Sequence, residues 1–180
     1  ADQIPANALK GLKVLNLAVN VPGPWAAARL GMFGAEVTKV EPPTGDPLEA
    51  WCPSWYAEMA QGVTVERVDA KSGAGRARLN ELFDGADVLI TSVRPSALAR
   101  MGIADAVDEH PHLCHVEIVG DSEDPEHPGH DLTYQAAAGT LAPPAMPRVL
   151  LGDLLGAERA VSAALALLVP RAVTGHGGHA

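Results

Sequence analysis

The stretch that most narrows what this chain can become lies between residues 12 and 43. "LKVLNLA" (12–18) is a short apolar run rich in strand formers and bounded by turn signals, the pattern of a buried strand. "PWAAARLGMFG" (24–34) opens on a proline suited to a helix's first turn and closes at Gly34. "AEVTKVEPP" (35–43) alternates and then stops at two prolines, as a strand running into a forced loop would. The turn between the first strand and the helix reads V-P-G-P-W. It lacks the G-x-G-x-x-G spacing that brings a backbone against a pyrophosphate, so this strand–turn–helix is not built for a dinucleotide.

The pattern recurs. "VTVERVD" (63–69) alternates as a strand, "SGAGRARLNELFDGA" (72–86) has helical spacing, and "DVLITSV" (87–93) and "HLCHVEIVG" (112–120) are further strands. Residues 44–62 show no clear period and fit either an irregular excursion or a short helix. Strands alternating with helices at short intervals imply βαβ units, hence an α/β fold with a parallel sheet covered on both faces. Ligands on such sheets gather at the carboxyl ends of the strands. Lys39–Pro43, Thr91–Pro95 and the residues from Gly120 onward are therefore expected along one rim. Beyond an acidic Pro/Gly loop, "GDSEDPEHPGHD", the spacing predicts a long C-terminal helix over 154–172, its last turn interrupted by Pro170. The ending "VTGHGGHA", with His176 and His179, reads as a flexible tail.

At 180 residues the chain fits one domain with a substantial core. Aromatic residues make up 4%, too few for a stacking platform for single strands, and a net charge of −9 disfavours a general polyanion binder, so no nucleic-acid partner is expected. No run is long enough to cross a bilayer and the N-terminus has no apolar signal core, which makes a cytoplasmic protein the default expectation. Cys52 and Cys114 form no metal-type pair. "HPHLCH" (110–115) gathers His110, His112, Cys114 and His115, but no second ligand group accompanies it, so no metal is expected. There is no G-x-S-x-G elbow and no Walker loop.

Five stretches in order, "LKGLKVLNLAVNVPGPWAAARLGMFGAEVTKVEPP", "AKSGAG", "GADVLITSVRPSALARMGI", "GHDLTYQAAAGTL" and "LLGDLLGAERAVSAALALLVPRAVTGHGG", resemble the family III CoA transferases, also called the CaiB/BaiF type, which include the α-methylacyl-CoA racemases. The resemblance implies a Rossmann-like domain holding coenzyme A, with an acyl-CoA thioester as substrate rather than a resident cofactor. Lys39, Lys71, Arg94 and Arg100 match positions used around CoA, and cations suit its phosphates. Asp153 matches the aspartate that forms an acyl anhydride and then a CoA thioester, a relay natural to a carboxylate. His130, in "GHD", resembles the racemases, where a histidine and an aspartate exchange acid and base roles across the α-carbon. Asp131 is expected to orient the imidazole, and Tyr134 to line the pocket.

Family chains are roughly twice this long, so residues 1–180 are expected to be a single truncated CoA-binding domain lacking the acidic partner that assists the histidine in racemases. The glycine-rich segment that normally precedes the His site is here the acidic "GDSEDPEHPG". Two readings follow. One is an enzyme acting on acyl-CoA, by CoA transfer or by α-proton transfer, which the retention of both His130 and Asp153 favours. The other is a non-catalytic CoA-binding or regulatory subunit, which the shortness and the acidic loops favour. Either is expected to form a homo- or hetero-oligomer.

Overall fold

The computed structural model describes residues 7–104 and 106–180. The elements run β1 (Lys13–Asn16), α1 (Pro22–Met32), β2 (Glu36–Glu41), α2 (Pro47–Trp51), α3 (Pro53–Met59), β3 (Thr64–Arg67) and α4 (Gly73–Gly85). They continue with β4 (Val88–Thr91), α5 (Pro95–Met101), α6 (Ala106–Glu109), β5 (Cys114–Glu117), α7 (Asp131–Ala137), α8 (Leu151–Thr174) and β6 (Gly178–His179). The strands form one sheet in the order β3-β2-β1-β4-β5-β6, every pairing parallel. This is the order of doubly wound dinucleotide-binding sheets, reached without their glycine fingerprint.

Strand alternation sends Val14, Val37, Val88, Ile90, Cys114 and Val116 to one face, where α1 and α8 cover them. Leu15, Val40, Leu89 and Leu113 face the other way, under Leu79 and Phe83 of α4 and Leu98 of α5. On the first face α1 and α8 meet through small side chains, Ala26 and Ala27 against Ala157, Ala160 and Ala164, all buried. Arg29 of α1 donates to Glu158 of α8 at 3.0 Å along the same contact. The far end of α8 is fixed by Arg171, whose guanidinium donates to Asp87 and to the His112 carbonyl, both at 2.6 Å.

One segment left open in the sequence and two departures from the sequence reading have local causes. Residues 44–62 contain two short helices, α2 and α3, each starting on a proline in its first turn, with the Asp46 carboxylate accepting from Leu48 N at the head of α2. Pro170 does not interrupt α8, which runs on to Thr174 and ends at Gly175 with φ +73°. The expected tail is a strand: Gly178 N donates to the Leu113 carbonyl and Ala180 N to the His115 carbonyl, placing β6 parallel to β5. Gly177 permits this, since a Cβ there would overlap the Leu113 carbonyl.

Candidate active site

In the sheet, β1 lies between β2 and β4, so the connections after β1 and after β4 leave in opposite directions and open a crevice at the carboxyl ends. A cleft of about 300 Å³ occupies it. Val19 and Asn20 line it from the turn after β1, Ser92 to Arg94 from the loop after β4, and Gly120 and Pro125 from the loop after β5. The starts of α7 and α8 close the remaining side with His130, Tyr134, Gly152 and Asp153. Four residues separated by up to 59 positions in the chain, Arg94, His130, Tyr134 and Asp153, thus share one cavity.

Asp153 sits in the first turn of α8, but the free amides of that turn serve another carboxylate. The buried Asp131 takes Gly152 N at 2.7 Å and Asp153 N at 3.2 Å on one oxygen, and Gln135 Nε2 at 2.6 Å on the other. Asp131 therefore caps α8 from α7 and does not orient the His130 imidazole, correcting the sequence expectation. Asp153 is left half-buried, and among the described residues its carboxylate oxygens accept no hydrogen bond. Burial, and then the Asp131 charge, hold its carboxyl above the usual carboxylate range against the opposing pull of His130.

His130 is the residue before α7, exposed on the cleft wall. Its backbone is fixed by Thr133, whose hydroxyl accepts from His130 N at 3.0 Å and donates to His130 O at 2.7 Å. Among the described residues the imidazole pairs with no carboxylate. The Tyr134 ring lies against Gly120, Gly129 and Gly152, where added Cβ atoms would crowd it. Burial, with the Asp153 charge second, raises its phenol.

The four expected cations part company. Arg94 lines the cleft, and Arg100, on the last turn of α5, is exposed. Lys71 is exposed at the turn before α4, its side chain without a partner among the described residues. Lys39 turns inward: its ammonium pairs with Asp46 at 2.5 Å and Glu41 at 2.9 Å and lies over the Tyr56 ring, whose hydroxyl donates to Glu41. Asp46 in turn accepts from Asn20 N at 3.0 and 3.2 Å, fixing that cleft residue at φ +64°. Asn20 is a site residue the sequence reading passes over; its only signal is an Asn, the side chain most tolerant of a left-handed backbone after Gly, at a strand-to-helix turn.

Among the described residues no group of three His, Cys, Asp or Glu side chains is arranged to hold a metal, and no helix is long and apolar enough to cross a membrane.

A family model described as CoA-transferase family III matches residues 9–180. The human succinyl-CoA:glutarate CoA-transferase is 30% identical over 189 residues, an alignment covering 94% of this chain and 43% of that protein. The (R)-2-hydroxy-4-methylpentanoate CoA-transferase of Clostridioides difficile is 31% identical, with coverage of 94% and 48%. Among solved structures, that of a CaiB/BaiF family protein from Brucella suis superimposes with a TM-score of 0.86 at 28% identity, covering 95% of this chain and 51% of that one. The chain spans about half the length of the curated relatives it matches.

Proposed function

The chain belongs to CoA-transferase family III, and from that premise we propose that its cleft receives an acyl-CoA thioester whose carbonyl carbon is attacked by Asp153. The observation that carries this reading is the state of Asp153: a half-buried carboxylate with its pKa raised, its oxygens free of hydrogen bonds among the described residues, at the sheet's switch point. Such a carboxylate is a better nucleophile than a hydrated one. A bond forms from its oxygen to the acyl carbon as the C–S bond breaks, giving a mixed anhydride and CoA thiolate. The thiolate then attacks the Asp153 carbonyl carbon, expelling the donor as a carboxylate and leaving an aspartyl–CoA thioester. An acceptor carboxylate runs the same two steps in reverse, restoring Asp153, with no net proton change.

Arg94, Arg100 and Lys71 are proposed to meet the CoA phosphates. Lys39, engaged with Asp46 and Glu41, acts instead by holding the Asn20 turn. Tyr134 lines the acyl end beside Asp153. The proposed setting is the cytoplasm and the proposed assembly an oligomer, which would cover the exposed Leu155, Val169 and Val173 of α8. A second reading, α-proton transfer, is favoured by the presence of His130, paired with no carboxylate among the described residues, in the same cleft: His130 would take the proton on one face and Asp153, more readily protonated than an ordinary carboxylate, would return it on the other.

Calorimetric titration with acetyl-CoA, beside Arg94→Ala, tests the site, and hydroxylamine trapping tests the chemistry. Saturable binding weakened in Arg94→Ala, with an Asp153 hydroxamate found by mass spectrometry and absent from Asp153→Asn, is the expected result. Transfer by Asp153→Asn should fall on the order of 10³-fold or more. Its rate in the native protein should decline as pH drops through a value above the ordinary carboxylate range, because only the ionised form attacks. Binding without a hydroxamate, but with deuterium entering the α-carbon from heavy water, would replace transfer by the second reading. Absence of binding would overturn both.

A further inference from the structure

We propose that Glu126 is a latch holding the acidic loop 121–129 across one end of the cleft by its bonds to Ser96, and that the charge it places there opposes an anionic ligand at the neighbouring Arg94; this rests on the reading of the cleft as an acyl-CoA site. One Glu126 oxygen accepts from Ser96 N at 2.7 Å and the other from Ser96 Oγ at 2.8 Å. Ser96 lies in the first turn of α5, two residues after Arg94, which caps that helix and lines the cleft. The Ser96 bonds, and then the charges of Arg94 and Arg100, stabilise the ionised carboxylate. Pro125, His127 and Pro128, flanking Glu126, line the cleft themselves, so the latch determines where that wall stands.

The loop's two ends are held separately. At Gly120 and Gly129 the backbone lies so close to the Tyr134 hydroxyl that an added Cβ would crowd it. Its middle is tied down by Glu126, its one side chain hydrogen-bonded to the α5 side among the described residues. Asp121, Glu123, Asp124 and Glu126 give the segment four carboxylates and no Lys or Arg. A ligand bearing phosphates that reaches Arg94 meets the negative charge of Glu126, held by Ser96 two residues further on, so its charged end is opposed there unless Glu126, and the loop with it, moves away. The neutral pantetheine arm meets no such opposition. Glu126 thereby sets the selectivity of the cleft between charged and uncharged ends of the same molecule.

The test compares the full chain with Glu126→Ala, Ser96→Ala and Glu123→Ala. The last makes the same charge change on the same loop without touching Ser96. Hydrogen exchange at the Ser96 amide should quicken in Glu126→Ala and stay unchanged in Glu123→Ala; equal exchange in all would overturn the latch. By calorimetry, Glu126→Ala should bind CoA about two- to fivefold tighter, the scale of an exposed ion pair, with pantetheine affinity unaltered and Ser96→Ala intermediate. If Glu123→Ala tightens CoA as much as Glu126→Ala, bulk charge accounts for the effect and the latch is overturned. Equal CoA affinity in every form would overturn the opposition alone. No CoA binding by any form would overturn the acyl-CoA reading and the opposition together.

Discussion

Lys39 is a cation facing the interior, and its environment explains both what the sequence could tell and what it could not. A lysine at the end of a strand in an α/β fold reads as a ligand for phosphate. The two carboxylates that claim it, Glu41 and Asp46, are near in sequence, but only the bend at Pro42–Gly45 brings both to its ammonium. Replacing Lys39 by Met should cost about 3–5 kcal/mol in urea unfolding, since it strands two buried negative charges. A lysine that served only the ligand would leave stability untouched and lower CoA affinity instead. At this scale what was legible is that His130, Tyr134, Asp153 and Arg94 share one cleft, because their motifs come in a recognisable order. The role of Asp131 was not, because the amides it caps begin a different helix 21 residues away.

Among the elements, what was written locally was readable. β1, β2, β4 and β5 lie inside the runs marked for them, and α4 starts at its Ser72 cap, whose hydroxyl accepts from Gly75 N at 2.9 Å. The signal for α2 was also present, an Asp–Pro pair, though it is too short to show a period. β6 left no signal, because a two-residue strand next to glycines acquires its meaning only from β5, some 60 positions earlier. Its docking rests on close backbone approach at Gly177. Gly177→Ala should therefore detach β6, seen as faster hydrogen exchange at Glu117 and Ala180, with β1 and β2 amides unaffected.

For the molecule as a whole, the histidine-rich segment that runs into β5 matters through acid stability. His115 is buried with its ring bonded to the Thr91 hydroxyl at 2.8 Å and 5.0 Å from the His179 ring. Burial, and secondarily His179, lowers it from its ordinary 6.5 to about 4. The unfolded chain takes up the proton first, so stability is full above pH 6.5, declines as pH falls toward 4, and loses nothing more from this group below that. The loss is on the order of 3 kcal/mol; urea midpoints across this range should slope for the native protein and flatten for His115→Gln.

The alanine seam between α1 and α8 has a further consequence. α1 begins just after the turn bearing Asn20, and α8 carries Asp153 in its opening turn. Helices interlocked through methyl groups have little freedom to slide or part, so these two walls behave as one solid body. No residue of 121–129 belongs to either large core cluster. Admission to the cleft is thus assigned to a stretch of chain whose spelling the fold does not check. Mutation can redraft that stretch, and change which molecules enter, while the scaffold that aims the carboxylate is inherited unaltered.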